Sequence, residues 1–197
     1  MNFNELTRAR YSLRKFDSRP IEEEKLRLLL QAAQSAPTAH NNQPQYLLVC
    51  KSPDALARVD RCTTMHFGAP VVLVVCYDPA AAWVRTGIDG KNHGEIDAAI
   101  ATAQIMLQAA DLGLGSTYVG VFDPEKLALA LPELAGRTPI ALLPVGYPAP
   151  DAIPPRTPSP ASSIPSASPW RNSIPSCKRL ISIVNTEAPE IPSRTLP

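Results

Sequence analysis

Apolar positions along the chain switch between helical spacing, short unbroken runs and polar gaps, which predicts helices interleaved with strands. An amphipathic turn from about Asn4 to Ala9 carries Phe3 and Leu6. Arg19-Pro20 then breaks the chain. Helical spacing returns in Ile21, Lys25, Leu26, Leu28, Leu29, Leu30 and Ala33, where Glu22, Glu23 and Glu24 complement the positive helix N-terminus and Pro37 ends the element. Thr38 to Pro44 is a polar connection into a strand from Tyr46 to Cys50. Ser52-Pro53 supplies an N-cap and first-turn proline for a short helix toward Arg61. Pro70 to Tyr77 is apolar without alternation, the pattern of a strand covered on both faces, and it is the best candidate for the sheet centre.

Asp78 to His93 has few apolar residues and reads as a long loop of the kind that lines a site. The next helix, from about Glu95 to Leu112, spaces Ile96, Ala99, Ile100, Ala103, Met106, Leu107 and Ala110 helically. With alanines elsewhere it is expected to be buried over most of its circumference, as a core or interface helix. Gly113 stops it, and Gly115 leads into a predicted strand from Ser116 to Phe122, whose Gly120 lets another group approach the backbone. Asp123-Pro124 caps a short helix to about Leu131, and Pro139 to Gly146 reads as the last strand. Beyond Tyr147 the pattern stops. Eleven of the 22 prolines lie from Pro150 onward among many serines, so residues 150–197 are expected to form a disordered tail rather than a second domain. Within it only Leu180 to Val184 has strand-like composition.

Composition narrows the picture without choosing a chemistry. A chain of 197 residues with 45% hydrophobic content suits one globular domain with a tail. A net charge of +1 and the lack of a basic run interleaved with aromatics argue against nucleic-acid binding. The polar start at Asn2 and Asn4 and the lack of a bilayer-length apolar run lead us to expect a cytoplasmic protein with no membrane partner. Cys50, Cys62, Cys76 and Cys177 show no close pairing and are expected to be reduced thiols. His40, His66 and His93 lack ligand neighbours at metal-site intervals, so no metal is expected.

Charge changes the picture in one place, Arg8 to Phe16. Arg8, Arg10, Ser12 and Arg14 fall on alternate positions, so an extended backbone turns them to one side, whereas a helix would pair Arg10 with Arg14 and Arg8 with Ser12. Guanidinium forks beside a hydroxyl suit a phosphate, although alone the same residues also describe a solvated basic turn. Asn41 and Gln43, in the amide-rich connection, either make a turn or recognise the edge of a heteroaromatic ring, because amides both donate and accept. A Gly-x-Gly-x-x-Gly after a strand is absent, which disfavours a dinucleotide fold.

From residue 1 to about 149 the chain resembles the FMN-dependent nitroreductase family. Arg10, Ser12, Arg14 and Phe16 resemble its Arg-x-Ser-x-Arg/Lys-x-Phe motif, and Ala36 to Pro44 resembles its Ala-Pro-Ser-x-x-Asn-x-Gln-Pro block. Ala69-Pro70, Gln108 to Gly115, the Gly120 strand and Leu142 to Pro148 recur in the family's order. The resemblance implies an α+β homodimer, with a central mixed β-sheet of about four to five strands flanked by helices. It implies FMN at the subunit interface. Arg10, Tyr11, Ser12 and Arg14 would hold the phosphate, ribityl chain and pyrimidine edge, with Pro37, Thr38, Ala39, Asn41 and Gln43 coming from the other subunit and Val119, Gly120 and Val121 passing beside the ring. The implied activity is hydride transfer from NADH or NADPH through flavin N5 to a nitroaromatic, quinone or other small electrophile, in a ping-pong cycle that needs no catalytic His or carboxylate. The alternatives are a flavin-binding protein without turnover and a family member whose tail impairs assembly.

The tail departs from the family pattern, which has a phosphate-binding Arg or Lys followed by a Pro-Leu-Glu-like run. Plausible codons for Ser163 to Ile174, read from the third base of the Ser163 codon, give His-Pro-Phe-Arg-Leu-Pro-Leu-Glu-Lys-Leu-His, which contains such a run. A frame shift after about Gly146 is therefore expected, together with weaker FMN retention. The nucleotide sequence checks it: the codons should permit that reading, and codons that forbid it exclude the shift.

Overall fold

The computed structural model describes residues 1–65 and 67–154. The readings made for His66, Cys177, Leu180 to Val184 and the tail beyond Pro154 lie outside the described residues. The elements are α1 (Phe3–Ala9), α2 (Glu23–Gln34), β1 (Gln45–Cys50), α3 (Pro53–Asp60), β2 (Val71–Tyr77), α4 (Gly94–Asp111), β3 (Gly115–Ser116), α5 (Pro124–Ala130) and β4 (Thr138–Gly146). The predicted caps form: Ser52 accepts from Ala55 N–H, and Asp123 accepts from the amides of Glu125 and Lys126; a capping box that was not predicted starts α1, where Asn2 accepts from Glu5 N–H.

The four strands make one sheet in the order β1-β2-β4-β3, antiparallel at each step. Among the described residues the expected mixed character enters only through the parallel bridge between Ser12 and Ser116. β2 is an interior strand, and its apolar run serves two cores in alternation. Val71, Leu73 and Val75 face α2 and α4, while Val72, Val74 and Cys76 face Val59, Leu127, Leu131 and Leu134. The unbroken run reflects helices on both faces rather than parallel pairing.

Proline shapes both neighbours of β4. The register slips between Val75 and Cys76, where β4 presents Pro139 without an N–H. The strand expected from Ser116 to Phe122 is regular only over Gly115–Ser116, because Pro144 faces Thr117 and accepts its amide at 3.3 Å without a donor to return. Reciprocal pairing resumes at Val119 and Leu142, with both bonds at 2.9 Å.

α4 departs from its predicted burial. Gly94, Asp97, Ala98, Ala101, Thr102, Ile105 and Ala109 make its buried face, whereas Ile96 and Ile100 are 40% and 38% exposed. Small residues let the helix sit close to the sheet: a Cβ on Gly94 would lie 2.1 Å from the Tyr77 ring. Ile96 and Ile100 are left on the outward side.

Two contacts hold the segment that follows α1. Leu13 is 1% exposed and lies on Gly115, where a Cβ would come within 2.3 Å of Leu13 Cδ2 and 2.8 Å of its Cβ. Tyr147 donates its hydroxyl to Glu22 at 2.7 Å, accepts from Lys25 Nζ at 2.6 Å and carries the Arg19 guanidinium 3.8 Å above its ring. Cys50, Cys62 and Cys76 are buried free thiols, and burial pushes Cys50 up to about 11 and Cys76 up to about 12. Among the described residues no helix is long and apolar enough to cross a membrane.

Gly115→Ala should lower stability by about 1–3 kcal/mol, the usual range for overpacking, read as a lower urea midpoint. The hydroxyl of Tyr147 is the largest influence holding the Glu22 carboxyl below 4.5. Because the folded value is depressed, its contribution is present above the unfolded value and lost as pH falls through the folded one. Tyr147→Phe should therefore lose less melting temperature than the parent as pH falls below the usual glutamate range, as thermal melts at successively lower pH would show.

Candidate functional site

The basic stretch is extended where it matters. Arg10, at the C-cap of α1, has φ −63° and ψ 125°. Leu13 N–H donates to Ser116 O at 3.0 Å, Asp17 N–H to Tyr147 O at 2.9 Å, and Phe16 bridges Pro148. The segment thus lies between β3 and the chain leaving β4. Alternation places Leu13 in the core and leaves Ser12 and Arg14 on the other side. Arg8 falls inside α1 and does not share this alternation. Among the described residues Arg10 and Arg14 have no carboxylate partner; Arg14 Nη1 reaches only Ser12 O, at 3.4 Å. Tyr11 and Arg10 line a cavity of about 150 Å³ with Met106, Leu114 and Pro148, beside the buried, unpartnered Ser116 hydroxyl.

The second group of predicted residues follows α2. His40, Asn41 and Gln43 have φ of 53°, 55° and 50°, the left-handed region, which non-glycine residues adopt at a cost of roughly 1–2 kcal/mol each. Besides the backbone bonds from Asn41 N–H to Thr38 O and Asn42 N–H to Ala39 O, three hydrogen bonds to or from side chains hold them there. Ala39 N–H donates to Asp97 Oδ1 at 3.0 Å, Gln43 N–H to Thr38 Oγ1 at 3.0 Å, and Asn42 Nδ2 to Ala81 O at 3.1 Å. The Thr38 hydroxyl is thus engaged inside the loop and the Ala39 amide on α4. The side chains of Asn41 and Gln43 are exposed and make no hydrogen bond among the described residues. Pro37 is exposed beside them.

The third group runs along the edge of the sheet, beside the middle of β4, where Val119 bridges Leu142. Val119 is 5% exposed, Val121 is 58% exposed, and its carbonyl accepts from Thr63 Oγ1 at 2.5 Å. A Cβ at Gly120 would meet nothing within 4 Å, so the space over this backbone is open within the chain.

The fold separates the first two groups. Ser12 lies beside Ser116, which pairs with Val145 near the end of β4, whereas Pro44 O accepts from Asp78 N–H beyond Tyr77, which pairs with Thr138 at its start. From Thr138 to Val145 is seven residues, or about 23 Å of strand. α4 runs the same way: Asp97 near its start holds Ala39, and Gly115 follows its end. Its 18 residues span about 27 Å.

Several contributors escaped the sequence reading. Asp97 is a lone acid on the small-residue face of α4, and that anomaly was the available signal. Trp83, from the long loop, stacks on His40 at 5.2 Å and meets His93 edge-on at 4.8 Å. Asn42 and Thr63 hold backbone in place, roles set by tertiary neighbours alone.

Known proteins share this fold. The model of the nitroreductase family matches residues 7–64 and 57–147. A nitroreductase family protein from Clostridium difficile superimposes with a TM-score of 0.74 at 37% identity, over 79% of this chain and 88% of that one. A structure from Desulfovibrio desulfuricans that contains FMN superimposes with a TM-score of 0.65 at 26% identity, over 81% of this chain and 93% of that one. A protein of Archaeoglobus fulgidus, provisionally named NADH dehydrogenase/NAD(P)H nitroreductase, is 33% identical over 137 residues, 65% of this chain and 72% of its own. With ordered motifs, an α+β fold and a family match spanning most of its described residues, the chain belongs to the nitroreductase family.

Proposed function

We propose that the protein is an FMN-dependent oxidoreductase that takes electrons from NADH or NADPH and passes them to a nitroaromatic, a quinone or another small electrophile. It works as a homodimer, with each flavin between the basic stretch of one subunit and the loop around Asn41 and Gln43 of the other. The observation that carries this reading is the placement of two sets of unengaged donors at opposite ends of one sheet. Arg10, Ser12 and Arg14 form one set, and Asn41 and Gln43 the other. A separation of about 20 Å along the sheet is too large for one chain to close both around a single ring.

The residues fit the group. Guanidinium forks without carboxylate partners are free to meet a phosphate or the electron-rich edge of a reduced ring, where fixed positive charge stabilises developing negative charge. The Ser12 hydroxyl stands on the same side. Amides that donate and accept match alternating ring nitrogens and carbonyls. Open space over Gly120 admits a flat ring against the backbone. Flavin, when bound, supplies the acceptance and release of an electron pair. The protein's part is to hold it, exclude bulk water from one face and leave the other accessible to donor and acceptor in turn, while solvent supplies protons.

The outward side of α4 supports a second copy. Ile96, Ile100, Ala103, Leu107 and Ala110 are spaced by four, three, four and three residues, the seam pattern of packed helices. Beside it, α1 and α2 frame an open groove of about 620 Å³ lined by Phe3, Leu6, Leu28 and Leu107. Exposed apolar surface of this kind marks an interaction face.

Protein reconstituted with FMN should show a flavin band that NADH or NADPH bleaches without oxygen and that a quinone or nitroaromatic restores. A bound flavin that never bleaches would instead indicate binding without turnover. Native mass spectrometry should find twice the 21.2 kDa chain mass, with two flavins. Arg10→Ala and Arg14→Ala should each weaken FMN binding by about ten- to hundredfold in fluorescence titrations, the loss expected for a charge-assisted hydrogen bond.

A further inference from the structure

Asp97 is 2% exposed, among Gly94, Ala98 and Ala101 on the buried face of α4. Oδ1 accepts from Ala39 N–H at 3.0 Å, and Oδ2 is buried with no hydrogen-bond partner. A carboxylate left half-satisfied in such surroundings is unfavourable for folding, and an apolar residue of similar size would serve packing as well or better. Its one bond must therefore be weighed for what it holds. Ala39 immediately precedes His40 and Asn41, and Gln43 follows within the same turn; all three are in the left-handed region. Bonds from Asn41 N–H to Thr38 O at 3.0 Å, Asn42 N–H to Ala39 O at 3.2 Å and Gln43 N–H to Thr38 Oγ1 at 3.0 Å close the turn on itself, and the bond to Asp97 ties it to α4; without that tie the strained turn can shift on the helix and re-aim the amides of Asn41 and Gln43.

The neighbourhood is built to brace the same turn. Trp83 lies between His40, stacked at 17°, and His93, met at 61°. Asn42 Nδ2 reaches Ala81 O in the same long loop. His93 Nε2 is buried without a partner, four residues before Asp97 and on the same side of the helix. Two orphaned polar atoms one turn apart point to a site kept for positioning rather than for packing.

We infer that Asp97 is a positioning residue for the flavin-facing loop: by accepting the Ala39 amide it holds residues 39–43 in the conformation that presents Asn41 and Gln43. This rests on the reading of that loop as half of the flavin site. The group required is a hydrogen-bond acceptor, so asparagine at this position keeps the function and alanine does not.

The test compares the parent, Asp97→Asn and Asp97→Ala by two measurements, amide hydrogen exchange in the flavin-free protein and FMN titration by fluorescence. Asp97→Ala should lose the protection of the Ala39 amide by about tenfold or more while β2 amides keep theirs, and its FMN dissociation constant should rise about tenfold, the scale of one lost hydrogen bond. Asp97→Asn should restore both to within a few-fold of the parent. Asp97→Ser, whose hydroxyl stops short of Ala39, replaces the alanine variant if that does not fold. Unchanged Ala39 protection in Asp97→Ala or Asp97→Ser overturns the inference, as does equal loss in Asp97→Asn. If the parent binds no FMN, the flavin reading fails, and the exchange data still decide whether Asp97 holds the loop.

Discussion

Helix α4 lies along the sheet through a face of small residues, and most of the site's geometry depends on that close contact. Ala98, Ala101, Ile105 and Ala109 are fully buried against it. Because the rise per residue of a helix is constant, the distance between what happens at its start and at its end is set by its 18 residues. Asp97 holds the amide-bearing loop at one end; Gly115 receives Leu13 at the other. Small side-chain movements cannot bring the two donor sets together.

Within each donor set, some residues hold and others remain free. In the basic stretch Leu13 anchors and Ser12 and Arg14 face outward, a division produced by the alternation of an extended backbone. Tyr147 adds a second anchor by joining the chain after β4 to Glu22 and Lys25 at the start of α2. In the loop, Ala39 and Asn42 are tied to the scaffold and Thr38 to the Gln43 amide, while the side chains of Asn41 and Gln43 make no hydrogen bond among the described residues. Neighbouring asparagines thus have different roles, decided by which one faces Ala81.

Much of the architecture was legible in the chain. Caps at Ser52 and Asp123 and the proline after α2 marked boundaries, because each acts on the backbone within a few residues. β2 was recognisable as an interior strand because both its faces had to be apolar. The extent of the Gly120 strand was not legible. Its pairing fails opposite Pro144, and which residue stands opposite is a matter of register between distant segments. The buried face of α4 was equally hidden, since a helix apolar on most sides does not declare which side meets the sheet.

The sequence by itself determined the order and type of the elements, the donors able to meet a phosphate and a ring edge, and the family. These are local properties or ordered motifs that survive without coordinates. Only the tertiary structure decided that Asp97 anchors Ala39, that Asn41 rather than Asn42 is free, and that the two donor sets stand at opposite ends of one sheet. Each of those depends on which distant residue comes opposite another, and that follows from packing and strand register.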